Sequence, residues 1–275
     1  RILRAFRFGA RYNYILSDDI IPSAQSEATR NEYKSKITTE RANTEITKAL
    51  TGPHTDLYIK WIIESNIFDL FFDSNHSYNI DLNEVVSRVS MISSSVQLDS
   101  LNDSKKDFLI LILCAIYQPL IHLPNVKSTT KKSQEIEAVK YCIIREIKYQ
   151  NEIGDAVYSL LKGAEDIKAM IGKELSRLTV AHFIMETGPK WQYVKHTLFS
   201  QKEVQFFTDI LLPFIMEQEL SEAYQIKPLL KGNQLAKELG IKPGKGMKEM
   251  IDKMIDWQIE NPKGTANDYI ASIKK

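Results

Sequence analysis

Asp81-Leu-Asn-Glu84-Val-Val-Ser-Arg-Val-Ser-Met-Ile92 decides the class of fold before any other segment is read. Leu82, Val85, Val86, Val89 and Ile92 recur at the spacings of a helix with one apolar face, and Asp81 with Glu84 supplies a cap and its partner at the third helical position. Working outward, Ser200 and Glu203 repeat that signature ahead of Val204, Phe207 and Leu211. Met247, Met250, Ile251, Met254 and Ile255 form another stripe. The longest apolar run, Phe108 to Tyr117, is ten residues. That is about half of the roughly 20 needed to span a bilayer, so it reads as a buried helix. No alternating strand pattern with hairpin residues is convincing, and the expected class is all-α.

Breaks fall at Gly52-Pro53, at the polar stretch Asp73 to Asp81, at Pro124 to Lys132 and at Gly188-Pro189. They suggest a first helical unit over 1–73, a central helical body over 74–220 and a small basic tail over 221–275. Hydrophobic residues at 43% and charged residues at 26% exclude a disordered or fibrous chain. The formal net charge of +1 provides no global field for nucleic acid, so any such binding must rest on local clusters. Two clusters exist. Arg1, Arg4, Arg7 and Arg11 precede the first acid, Asp18, and six lysines between Lys227 and Lys248 face only Glu238. Cys114 and Cys142 sit in apolar stretches and indicate neither a zinc site nor a disulfide framework, which suits a reducing compartment. The chain starts at Arg with no apolar signal region, so the expectation is a processed, truncated or partial product.

At about 100° per residue the four arginines share an arc of about 120°, with Leu3, Phe6 and Ala10 on the opposite side. A helix of this kind sets one face in a core and offers planar donors to phosphate or a base edge. The same spacing equally fits a solvated basic face paired with acids elsewhere in the fold. Gly240-Ile-Lys-Pro-Gly244-Lys-Gly has three rather than four residues between Gly240 and Gly244 and ends without Ser or Thr, so it is not a P-loop. His54, His76, His122, His182 and His196 show no metal-ligand spacing. Trp61, Trp191 and Trp257 lie on apolar faces, where packing is expected.

Arg1-Ile-Leu-Arg-Ala-Phe-Arg-Phe-Gly-Ala-Arg11 resembles the Arg-x-x-Arg-x-x-Arg-Phe-Ala-x-Arg stretch of class II CCA-adding tRNA nucleotidyltransferases, of eukaryotic type. Lys36-Ile-Thr-Thr-Glu40-Arg41-Ala-Asn-Thr-Glu45, leading to Gly52-Pro53, is similar to a second segment of that family, with departures at Thr38, Thr39 and Ala42-Asn43. A third likeness runs from Pro228 through Gly232 and Gly240-Ile-Lys-Pro243-Gly244 to Trp257 and Pro262-Lys-Gly264, and a weaker one from Ala138 to Glu146.

The resemblance implies an elongated helical assembly of neck, body and tail, with the catalytic head lying before Arg1. Arg1 and Arg4 would face the nucleotide, Arg1 reading the incoming base together with an upstream Asp. Arg7, Arg11, Glu40 and Arg41 would support the pocket. Lys231, Lys242, Gly244, Lys245 and Lys248 would hold the acceptor and T arms of tRNA. CTP and ATP would be the substrates, with Mg2+ held by carboxylates of the head, so the 275 residues alone are expected to be inactive. Cytosol, nucleus and mitochondria are the implied compartments; neither a membrane nor a protein partner is indicated. The rivals are a bacterial-type poly(A) polymerase part and a non-catalytic helical RNA-binding or scaffold protein.

Overall fold

A computed structural model describes residues 1–73, 80–97, 100–127, 135–241, 244 and 246–274. They fold as helices, with a two-residue antiparallel ladder in which β1 (Val126–Lys127) pairs with β2 (Glu135–Ile136). The class is all-α. Residues 1–164 and 193–199 form one compact unit; residues 165–192 and 200–275 form another.

The first unit begins with α1 (Ile2–Tyr12), α2 (Ile20–Gln25), α3 (Glu27–Lys36), α4 (Thr39–Leu50), α5 (Thr55–Glu64) and α6 (Phe68–Phe72). Thr55 explains the sharp turn at Gly52-Pro53. Its buried hydroxyl donates towards the carbonyls of Ala49, Leu50 and Gly52, so the open C-terminal end of α4 is closed by the first residue of α5. The capping expected at Asp81 is present, its carboxylate accepting from the amides of Asn83 and Glu84 to start α7 (Leu82–Ser95). Val85, Val89 and Ile92 carry the buried face of α7 onto α5 and α8 (Ser104–Tyr117). Every residue from Phe108 to Tyr117 is buried, so the apolar run is the centre of this core. Each such Leu or Ile contributes roughly 1.5–3 kcal/mol of burial. After α9 (Ala138–Tyr141) comes one wide π turn, Cys142–Glu146, and then α10 (Asn151–Met170), whose last residues belong to the second unit.

In the second unit α11 (Arg177–Thr187) stops at Gly188, which takes φ 77, and Ser200 and Glu203 make the expected reciprocal cap before α12 (Gln201–Phe206). The stripe beyond differs from the sequence reading. A second π turn, Phe207–Leu211, widens the helix, so the buried line runs Phe207, Leu211, Ile215 and leaves Val204 at 36% exposure. After α13 (Leu212–Glu217) the chain ends in α14 (Gly232–Leu239), α15 (Met247–Glu260) and α16 (Ala266–Ile273). These close a small core of Leu235, Met254, Tyr269 and Ile270, with Met247, Met250 and Ile251 packed against it. Trp61 and Trp191 are buried, and Trp257 packs against the tail core, as their apolar positions imply. Both cysteines are buried, and neither is in a disulfide. No helix among the described residues is long and apolar enough to cross a membrane.

Candidate functional site

Helix α1 is seated by Leu3, Phe6 and Ala10, all buried. Phe6 meets Trp61 of α5 at 6.0 Å between ring centroids, and a Cβ on Gly9 would come within 3.1 Å of the same indole and 3.0 Å of Leu16. A side chain here would press on Trp61 and Leu16, so glycine lets α1 lie close to α5.

The four arginines do not remain one exposed row. Arg1, Arg4 and Arg11 are exposed, but Arg7 is buried and its Nε donates to Glu45 Oε2 of α4 at 2.7 Å. Helical geometry accounts for the split, because Arg7 sits at the edge of the arc nearest the core, about 40° from Leu3. The pairing of a basic face with an acid elsewhere is thus realised at one position of four. Glu45 was quoted in the second related segment without a role of its own; its salt bridge is what joins that segment to the first.

Two residues unremarked in the sequence complete the surface. Phe8 and Tyr12, one turn apart, lie nearly parallel, with centroids 6.1 Å apart and an interplanar angle of 4°. The guanidinium carbons of Arg4 and Arg7 stand 5.7 and 4.1 Å from the Phe8 centroid, and that of Arg11 stands 5.4 Å from Tyr12. These cation–π contacts limit the rotamers of Arg4 and Arg11 while leaving them at the surface. The signal was the four-residue spacing of two aromatics among arginines. Burial pushes the Tyr58 phenol far above its ordinary range, helped by neighbouring Tyr33, Tyr149 and Glu45 and opposed by Arg7, so the Arg7–Glu45 pair has a neutral hydroxyl beside it.

Glu40 and Arg41 occupy the exposed first turn of α4, where the Thr38 hydroxyl accepts from the Arg41 amide at 3.4 Å. Arg41 precedes Glu45 by one turn and shares its side of the helix, whereas Glu40 lies about 140° around. Arg7 therefore meets Glu45 and not Glu40. Among the described residues no group of three His, Cys, Asp or Glu is arranged to hold a metal ion.

The second basic cluster lies in the tail and is described on its own. Gly240 ends α14 in the left-handed region at φ 67, and the Ile241 amide returns to the Ala236 carbonyl. A Cβ on Gly232 would stand 3.0 Å from Met247 Cγ, so the starts of α14 and α15 are in contact. That contact gathers Lys231 and Lys248, both exposed neighbours of the touching residues, at one end of the pair with exposed Gly244 and Gly246. Lys242 and Lys245 lie outside the described residues. Elsewhere in the tail Trp257 covers Gly264, where a Cβ would be 2.3 Å from the indole.

Comparison with solved structures first gives the fold. The chain superposes over its full length, with a TM-score of 0.59 and 15% identity, on 60% of a structure described as a CCA-adding enzyme in complex with CTP. The matched portion of that structure shares the fold of this chain. Sequence then narrows it. The tRNA nucleotidyltransferase cca1 of Schizosaccharomyces pombe is 26% identical over 98% of this chain, and cca2 of the same yeast is 23% identical over all of it. The mitochondrial CCA tRNA nucleotidyltransferase of Saccharomyces cerevisiae is 22% identical over all of it. The chain is similar along its length to these CCA tRNA nucleotidyltransferases, matching their C-terminal portion and spanning 59% of the length of each of the three. No protein-family model matches it.

Proposed function

We propose that this chain is the base-reading and tRNA-holding portion of a nucleotidyltransferase that completes tRNA 3′ ends with CCA from CTP and ATP. The observation that carries the proposal is the clamped α1. Its Arg7–Glu45 ion pair and Phe8–Tyr12 stack hold an exposed arginine edge in fixed geometry, in a chain alignable along its length with enzymes of that name. A planar guanidinium projecting from a helix seated in this way can pair with a base edge and distinguish cytosine or adenine by donor and acceptor pattern. Arg1 takes this role with Arg4 beside it. Arg7, Arg11, Glu40 and Arg41 stabilise the surface from which Arg1 projects.

Residues 1–73 act in this reading as a neck, 74–220 as a body and 221–275 as a tail that grips the acceptor and T arms. Lys231, Lys242, Lys245 and Lys248 neutralise phosphates there, and Gly244 admits the backbone closely. The carboxylates for Mg2+ come from a segment preceding Arg1 in the related enzymes, and the 275 residues by themselves transfer no nucleotide. Service in cytosol, nucleus and mitochondria belongs to the same proposal, two relatives being mitochondrial enzymes.

The test fuses the N-terminal part of S. pombe cca1 before Arg1 and supplies labelled CTP with a tRNA ending before CCA. Incorporation by the fusion, none by the chain alone, and a loss of about a hundredfold in Arg1→Ala are expected, as for an interaction that positions the reacting nucleotide. An inactive fusion whose chain also retains no tRNA would sink the reading.

A further inference from the structure

Apart from the arginine helix, the first unit holds a cavity of about 360 Å3 between α3, α4, α6 and the π turn after α9. Lys34, Arg145 and Lys148 line it against a single acid, Glu146. None of the three cations is held in an ion pair among the described residues. Aromatic walls stand beside them. Tyr33 and Phe71 meet edge to face at 5.4 Å and 86°, making a corner, and Tyr141 lines the cavity as well.

The cationic wall is held in place by several specific contacts. Lys148 sits in the left-handed region at φ 64, which is disfavoured for a side chain of this kind, and two amides around it are bonded back into the π turn: Ile147 to Cys142 at 3.0 Å and Tyr149 to Ile143 at 2.9 Å. From α4, Asn43 donates to the Ile147 carbonyl at 2.8 Å, and Thr47 shares a hydrogen bond of 2.8 Å with the Tyr149 hydroxyl. Strained backbone that neighbouring bonds maintain concentrates at binding sites. The wall also uses positions where this chain departs from the related segment, since Thr39, Ala42 and Asn43 all line the cavity. It is separate from the arginine edge, because no residue of α1 lines it.

We propose that this cavity binds a ribonucleotide, its phosphate at Lys34, Arg145 and Lys148 and its base in the corner of Tyr33 and Phe71. The volume admits one nucleotide unit, which comes from a free nucleotide or from one residue of an RNA strand. Charge-assisted bonds hold the phosphate, and stacking holds the base without reading it.

Isothermal titration of the full 275-residue chain with CMP, AMP and inorganic phosphate tests this, using a single-stranded trinucleotide as competitor. Both nucleotides are expected to bind within about threefold of each other and at least tenfold tighter than phosphate. Arg145→Glu and Lys34→Glu, both at exposed positions, should each weaken them about tenfold or more, with Lys202→Glu, exposed and outside the cavity, unchanged. Displacement of CMP by the trinucleotide identifies an RNA strand as the source, and failure to displace identifies a free nucleotide. Phosphate binding as tightly as CMP, or CMP binding that survives Arg145→Glu and Lys34→Glu but disappears in Arg1→Ala, overturns the proposal and leaves the reading of Arg1 untouched.

Discussion

The two basic regions differ in how their cations are held. On α1 each of Arg4, Arg7 and Arg11 stands against an aromatic ring, and Arg7 is also buried on Glu45. At the α14–α15 end, Lys231 and Lys248 are exposed on a small core of their own and make no ion pair among the described residues. Forks with restricted rotamers suit recognition of one shape in one orientation, whereas mobile point charges suit any phosphate that comes near. The comparison therefore assigns direction to the first region and electrostatic grip to the second.

The comparison breaks most visibly at Glu45. Glu45→Ala leaves Arg7 buried without its carboxylate and should cost about 3 kcal/mol in urea unfolding, as for other half-broken buried pairs. The double change Arg7→Met with Glu45→Ala should recover much of that, since an apolar side chain needs no partner there. An unchanged midpoint for Glu45→Ala would mean that the pair does not fix α1. The tail has a comparable point at Gly264. Gly264→Val drives a side chain into Trp257, which is 2.3 Å from the modest volume of a Cβ alone, and should destabilise α14 to α16 by about 2 kcal/mol. Hydrogen exchange checks this: amides of α15 and α16 should exchange faster while those of α1 and α4 keep their protection.

Much of this was legible in the sequence, for reasons that differ between residues. The caps at Asp81 and Ser200 and the αL glycine at 240 were readable because each is a local event, decided by a side chain and the next few amides. The buried run from Phe108 to Tyr117 was readable because nothing polar interrupts it. Val204 was misread because a π turn shifts the helical face without a compositional signal. The division of the arginine row was only half readable. The sequence reading took the four arginines as one row, although the same periodicity puts Arg7 nearest the core; its partner lies 38 residues away on α4, and spacing on one helix cannot name a residue on another. The cavity beside Asn43 was invisible for the same reason, its cationic wall standing some hundred residues further along the chain.

A finer separation of the regions comes from salt. If the tail grips phosphate, Lys231→Glu with Lys248→Glu should weaken tRNA binding about tenfold at moderate salt and lower the slope of log affinity against log salt by about 2. Adding Lys242→Glu and Lys245→Glu should deepen both effects. Arg1→Ala should leave the slope within about 1 of the parent, because one contact aimed at a base releases few counterions. Filter-binding titrations across salt concentrations measure both slopes, and equal slopes for the two sets would erase the distinction between fixed forks and mobile charges.

The smallest expected effect tests whether the first unit alone responds to acid. His196, counted with that unit, is held down to a pKa of about 4, chiefly by burial of the ring and secondarily by Lys195. The unfolded chain takes up this proton near 6.5 while the folded chain does not, so the stabilising contribution is complete above about 6.5 and is lost as pH falls towards 4. The ring is partly solvated, which limits the loss to about 1 kcal/mol. His196→Gln should flatten that part of the stability profile in urea melts at pH 7, 5.5 and 4.5. The tail should be indifferent to the substitution, with exchange rates in α14 to α16 following the parent at every pH after correction for intrinsic chemistry. If instead α14 to α16 lose protection in step with His196 protonation, the two regions share one stability and the division between a braced helix and a separately cored tail fails.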